Sequence, residues 1–480
     1  MEKRSSSQSQ LEDAEKASVH HEETLAITPQ ERKRLIRRID LRLVVTLGCL
    51  YCISLLDRTN LGVASVAGMQ PALDMNASNN GYSITSVLFF ITYTIFQIPA
   101  TVTIRKVGPR IFLAAIVFFW GAVMIGFGFV PSWPAMAGLR VILGAFEAGF
   151  YPGCVYLLST WYPRYELQKR NAAFYLIGST ASGFGGILAY GLMQMDGIGN
   201  QEGWRWIFII EGILTCVLGL CSYLILVDFP EQSPKSWRFL TEAEAAYVVA
   251  SINNDRSDVH AEPFSIKQYL WNGADSKVWI YAVMYMFTTA NTYSISYFLP
   301  IILQDSMGFS VAKAQCLVAP PYVAAAIVMF LEGVVADKWR IRGPIVAINA
   351  ATSLLGLGLL GYLESPGPRY FGAFLATIGG NANCPALVSW QSNNIRGQWK
   401  RALTSATMIG GGSIGGILGT TVFRAQDAPG YIPGLLTTMV GCAVIIVLVA
   451  GLSLKFHRAN KRVDAGGKKI EGLAGFKYTL

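Results

Sequence analysis

The 480-residue chain is short of charge, with Asp, Glu, Lys and Arg making up only 14% of it. Soluble globular domains carry about a quarter, so a soluble enzyme and a disordered chain are both disfavoured. Histidine is scarce too, and His20, His21, His260 and His457 lie outside the long apolar runs, forming no metal set. The eight cysteines all fall within apolar runs, as small packing residues do, which argues against a disulfide scaffold. Cys49 and Cys52 form a C-x-x-C, but within a run of membrane length. The glycine-rich runs Gly183–Gly186 and Gly410–Gly416 are not followed by Gly-Lys-Ser/Thr. A phosphate loop is therefore not expected, and close helix packing is. No nucleophile–base or metal constellation is present, so neither an enzyme nor a cofactor is expected. Some forty polar residues precede the first apolar run, a poor fit to a secretory signal.

What the chain has is apolar residues, 52% of it. At about 20 residues per membrane-spanning helix, that leaves room for about twelve spans. The runs fall at 43–68, 82–104, 110–130, 134–158, 171–193 and 206–227, then at 278–303, 316–336, 344–363, 370–392, 402–422 and 432–454. The expected fold class is all-α: twelve transmembrane helices in two pseudo-symmetric six-helix bundles. Residues 1–42 read as a tail ending in a basic juxtamembrane helix, its start marked by the capping box Thr28-Pro29-Gln30-Glu31. The N-terminal bundle spans 43–227, a linker 228–277, the C-terminal bundle 278–454 and a tail 455–480. A second capping box, Thr241 to Glu244, opens a helix in the linker. Of the 39 Lys and Arg residues, 33 fall in the two tails and in the loops on one face of this arrangement. By the positive-inside rule that face, and both termini, are expected to be cytoplasmic. The net charge of +9 is then a topology signal, and no nucleic-acid partner is expected.

The loop after span 8 reads Gly333-Val-Val-Ala-Asp337-Lys338-Trp-Arg-Ile-Arg342-Gly343. It resembles the G-x-x-x-D-R/K-x-x-x-R-G loop signature of the major facilitator superfamily. The matching loop after span 2 keeps Arg105, Gly108 and Arg110 but has Ile104 where the acid would stand. Span 4 carries Arg140-x-x-x-Gly144-x-x-Glu147-Ala-Gly149-x-x-Pro152-Gly153. This resembles the signature of the anion:cation symporter family. Leu55–Gly62, Gly203–Gly212, Tyr297–Pro300, Trp390–Asn394 and Phe423–Gly434 are similar to that family's fungal allantoate/nicotinate permease branch. The resemblance covers about residues 38–460. It implies a proton-coupled importer of a small organic anion, a monocarboxylate vitamin such as nicotinate, working by alternating access. Allantoate, pantothenate or biotin as cargo, and a non-transporting nutrient sensor on the same fold, remain open alternatives. A monomer in the plasma membrane is expected, with the anion, the proton and the bilayer as partners.

Charge at mid-membrane depth is costly and therefore points to function. At 1.5 Å per residue, Asp57 and Arg58 in span 1 and Glu147 in span 4 lie near the midplane. Arg140 and Glu147, seven apart, share a helix face. Arginine keeps its charge and matches a carboxylate with two hydrogen bonds, so Arg58 is expected to bind the anion. A carboxyl group in a partly dry cavity can take up and release a proton as access alternates, so Glu147 is expected to couple the proton. Asp57 is either a second titrating group or the partner of Arg58 in the empty state. Arg140 is either a second anion contact or the counter-ion of Glu147. Asn291, Tyr297 and Asn383 are the expected polar contacts from the second half. The loop positions Arg105, Gly108, Arg110, Gly333, Asp337, Lys338 and Arg342 are expected to gate.

Overall fold

The computed structural model describes residues 28–480 apart from 77, 164–166, 168–169, 172, 179–182, 236–238, 258–270, 340, 397, 429, 467–469 and 471–475. The expectation for residues 1–27 lies outside the described residues. The capping box at Thr28 forms in both directions: the Thr28 hydroxyl accepts from the Glu31 N–H, and the Glu31 carboxylate accepts from the Thr28 N–H. It satisfies two backbone donors that a bare helix start would leave unpaired. The helix it opens, Pro29–Ala64, runs on through a π-helical turn, Ser65–Met69, into Gln70–Ala72. The basic juxtamembrane segment and span 1 are thus one continuous helix. Asp57 to Asn60 do not break it, because all four are buried against other helices and kept from lipid.

Span 2 is Gly81–Val107, span 3 Pro109–Phe127 and span 4 Trp133–Glu147 followed by Phe150–Trp161. Span 5 ends in Gly185–Met193, and span 6 is Gly203–Ile225. The second half runs Ser276–Ile301, Ala319–Trp339, Gly343–Tyr362, Pro366–Asn394, Gln398–Thr421 and Ile432–Asp464 for spans 7 to 12. A short helix, Val311–Cys316, precedes span 8. The molecule is an all-α, twelve-helix membrane bundle. Spans 1, 3, 4, 6, 8, 9 and 12 are long and apolar enough to cross a membrane by themselves. Spans 7, 10 and 11 are longer than 18 residues but diluted by Thr, Asn, Ser and Gly.

That dilution has a structural cause. Between the halves lies a cavity of about 100 Å³, and spans 7, 10 and 11 supply ten of the residues around it, whereas spans 3, 6, 9 and 12 supply none. The latter four form the outer layer, span 3 along span 6 and span 9 along spans 10 and 12. Across the halves span 1 meets span 7, span 2 meets span 11, and span 5 meets span 8 with its preceding short helix. The last two pairings exchange under the pseudo-twofold that relates span n to span n + 6.

At the end away from the basic loops the halves are tightly joined. A Cβ on Gly62 would fall 2.5 Å from the Tyr297 carbonyl oxygen, so only glycine lets spans 1 and 7 approach this closely. Gln315 donates to the Val63 carbonyl at 3.4 Å, and Tyr82 to the Tyr297 carbonyl at 3.3 Å. In the second half the run Gly410–Gly416 packs spans 11 and 7 together, Gly411 against Ala282 and Gly415 against Met286. The linker lies at the basic end. Its helix, Glu242–Ser257, opens on the Thr241–Glu244 capping box. Arg38 on the extension of span 1 pairs with Glu244 at 3.1 Å and donates to the Phe239 carbonyl.

Candidate functional site

Span 1 presents two adjacent charges to different surroundings. Arg58 faces the cavity, where its Nε meets Glu147 Oε1 at 2.6 Å, with side chains 4% and 1% exposed. Ser54, one turn earlier on the same face, donates to the same carboxylate oxygen. Arg58 Nη1 donates to the Tyr293 hydroxyl of span 7 at 3.0 Å. The guanidinium carbon lies 4.7 Å from the centre of the Tyr93 ring and 5.4 Å from that of Phe89, within cation–π reach. One arginine thus links an acid of the first half to a tyrosine of the second. Glu147 Oε2 has no hydrogen bond among the described residues.

Asp57 points instead toward spans 3 and 6. Its Oδ2 accepts from Trp120 Nε1 at 3.0 Å and from the Thr215 hydroxyl at 3.3 Å. One turn along, Asn60 donates to Glu211. Of the two alternatives for Asp57, that of partner to Arg58 is therefore corrected: Glu147 fills that place. The geometry follows from sequence adjacency, which sets successive helical side chains about 100° apart.

Arg140 is fully buried, and none of its three guanidinium nitrogens has a hydrogen-bond partner among the described residues. It lies 5.4 Å from the Phe127 ring centre, with the Tyr297 hydroxyl beside it but outside hydrogen-bond geometry. It forms no ion pair with Glu147, which corrects the counter-ion alternative.

The cavity wall is rich in tyrosine, with seven between Tyr51 and Tyr322. Its other polar lining includes Thr289, Thr292, Ser296, Asn381 and Cys384, and Ser296 shares a 2.7 Å hydrogen bond with Tyr322. Asn291, Tyr297 and Asn383 do not line it. Asn291 donates to Ser353 of span 9 at 2.6 Å, and Asn383 to Thr288 of span 7 at 3.3 Å. Both amides join helices, as polar side chains in membranes commonly do. Among the residues that do line the cavity from this half, Tyr293, Ser296 and Asn381 stand one or two positions from those expected. Sequence spacing identifies the helices but not the helix rotation that selects among near neighbours.

The loop positions divide. Arg105 lies in the last turn of span 2 and Asp337 in that of span 8; the side chains of both are outside the described ones. Gly333 and Lys338 are exposed. Gly108 takes φ +92°, a conformation suited to glycine, and a Cβ there would sit 3.2 Å from Asp228 Oδ1. Asp228 also accepts from the Arg110 N–H at 3.2 Å, while Arg110 Nε donates to the Tyr223 carbonyl at 2.6 Å. An acid from beyond span 6 thus meets the main chain of this loop, and Ile104 is a fully buried core residue. The Arg342 N–H donates to the Leu480 carbonyl at 2.7 Å. At the start of span 7, Asp275 pairs with Lys400 at 2.7 Å and accepts from the Lys277 N–H. Burial pushes the Asp275 carboxyl up, but the lysine contacts outweigh it and the group sits below its ordinary value.

Twelve packed helices around a tyrosine-rich cavity between two halves, joined across one end, are the architecture of a membrane transporter. The sequence profile of the Major Facilitator Superfamily matches residues 47–420, and the chain belongs to that family. It is 33% identical over 431 residues to the MFS-type transporter efuF of Hormonema carpetanum, covering 89% of this chain and 86% of that protein. It is 29% identical over 436 residues to a high-affinity nicotinic acid transporter of Saccharomyces cerevisiae, covering 90% and 79%. Among solved structures it matches a bacterial homologue of the human lysosomal transporter Spinster, inward-facing and unoccupied. There the TM-score is 0.63 at 17% identity, over 86% of this chain and 95% of that one. The protein is a multi-pass integral membrane transporter and not an enzyme.

Proposed function

We propose that the protein is a proton-coupled symporter that imports a small organic anion, a monocarboxylate of the nicotinate type. The observation that carries this reading is the buried ion pair that Arg58, on the cavity wall, makes with Glu147 behind it. While Glu147 is ionised, Arg58 is engaged. A proton arriving on Glu147 removes the charge that holds Arg58 and leaves the guanidinium to the substrate carboxylate, which it matches with two hydrogen bonds. Proton and anion then bind together, the requirement for symport. Asp57 is proposed as a second proton site and Arg140, whose nitrogens have no hydrogen-bond partner among the described residues, as a second anion contact.

The tyrosine-rich wall supports an aromatic acid, since rings stack on rings at little cost in conformational freedom. The similarity to a protein named as a nicotinic acid transporter supports the same class. The basic face is read as cytoplasmic, with Arg105, Gly108, Arg110, Gly333, Asp337, Lys338 and Arg342 at the gate there. The protein is read as a monomer in the plasma membrane. Proteoliposomes carrying Glu147→Gln test the coupling. Substrate exchange is expected to persist while accumulation driven by a pH gradient is lost; undiminished accumulation would refute the assignment.

A further inference from the structure

Residues 476–480, Phe-Lys-Tyr-Thr-Leu, return to the basic end of the second half and are held there chiefly by their main chain. The Thr479 carbonyl accepts from Trp390 Nε1 and from Asn394 Nδ2, each at 3.0 Å, and the Thr479 N–H donates to Asn394 Oδ1 at 2.7 Å. Asn460 of span 12 brackets Tyr478 in the same two-way manner: it donates to the carbonyl at 2.9 Å and accepts from the N–H at 2.8 Å. The Leu480 carbonyl takes the Arg342 N–H at the start of span 9. The Tyr478 ring stacks on Phe456 with centroids 4.2 Å apart, and its hydroxyl accepts from Lys277 of span 7 at 2.7 Å. Tyr478 and Leu480 also pack on the hydrophobic cluster that contains Trp390, Leu387 and Phe456.

These contacts amount to a built peptide site. Trp390 and Asn394 are fully buried, and asparagines that pair with both main-chain groups of one residue recognise an extended segment by its backbone. Five residues thereby tie together spans 7, 9, 10 and 12.

Span 10 gives the tie a consequence. Asn381 and Cys384 line the cavity, and Pro385 follows within the helix. Proline has no N–H, so the Asn381 carbonyl loses its helical partner, and helices bend at such points. Residues 386–394 lie beyond this weak point and carry both Trp390 and Asn394. We propose that residues 476–480 form a releasable clasp in a peptide groove, and that its seating fixes the 386–394 arm of span 10 relative to the cavity. The proposal does not depend on which anion is carried or on proton coupling.

Hydrogen exchange read by mass spectrometry on the full chain in lipid nanodiscs tests it. Deleting residues 476–480, or Tyr478→Ala, is expected to speed exchange across 386–394 at least tenfold, with residues 366–380 and the first half unchanged. Synthetic Phe-Lys-Tyr-Thr-Leu added to the shortened chain is expected to restore protection. Trp390→Phe, which keeps a ring and loses one donor, gives a smaller rise and serves if the shortened chain does not fold. Unchanged exchange in 386–394 for these variants overturns the proposal. So does a rise spread evenly over the second half, which marks the segment as general support for the fold.

Discussion

Arg58 and Glu147 meet at 2.6 Å across two helices, both almost wholly out of contact with solvent. Such a pair adds little net stability, because removing both charges from water offsets their attraction, but losing one partner strands the other. Arg58→Ala alone is therefore expected to destabilise the fold by about 3–5 kcal/mol. Adding Glu147→Ala should recover most of that loss. Thermal unfolding of both variants in detergent checks this, and equal destabilisation of the single and double variants would contradict it.

Tyr293 accepts from the face of Arg58 turned away from Glu147. A hydrogen bond to a charged group contributes about 1.5–3 kcal/mol. Tyr293→Phe is expected to raise the half-saturation concentration for the proposed anion about tenfold or more while leaving the pH dependence of uptake in place. Radiolabelled uptake at several pH values separates the two effects.

Gly62 is the close contact that seals the end away from the basic loops. Gly62→Ala puts a methyl group into the Tyr297 carbonyl, which neither backbone can absorb without parting. The expected result is a shift of the population toward forms open at that end. In a background lacking the native cysteines, Gln315→Cys should react with an impermeant thiol reagent several times faster when Gly62 is also replaced. An unchanged rate would mean that the strain is relieved locally.

Asp275 links the acid response to the basic end. Its folded value lies below that of an unfolded carboxyl group, so its contribution is present above about pH 4 and is lost as pH falls through the folded value. It also caps span 7 through the Lys277 N–H. Asp275→Asn is expected to cost about 1 kcal/mol at neutral pH, comparable to a lost cap, and to flatten the decline in melting temperature below about pH 4. A melting series from pH 3 to pH 7 tests both.

The helices were legible in the sequence because membrane length and hydropathy are local properties. So were the capping boxes at Thr28 and Thr241; Asp57, Arg58, Arg140 and Glu147, singled out as charges within apolar runs, are all buried. Partners were not legible. Nothing local says that Arg58 turns to Glu147 while Asp57 turns to Trp120, or that Asp228 meets the Arg110 N–H from more than a hundred residues away. Asn291 and Asn383 looked like cavity residues because they are polar and centrally placed. Helix rotation decided otherwise, giving the wall to Tyr293, Ser296 and Asn381. Only a signal relating distant positions, such as the span n to span n + 6 symmetry, could have anticipated this.

The polar dilution of spans 7, 10 and 11 bears on how the chain is made. A helix must prefer lipid to water to leave the insertion machinery, and each Asn, Thr or Ser in it weakens that preference. These three have the weaker claim to stay in the bilayer unaided, whereas spans 8, 9 and 12 can. Span 7 would then hold its place best once spans 8 and 9 arrive, and spans 10 and 11 once span 12 follows. The residues that surround the cavity thus also bear on the order in which the second half can be assembled during synthesis.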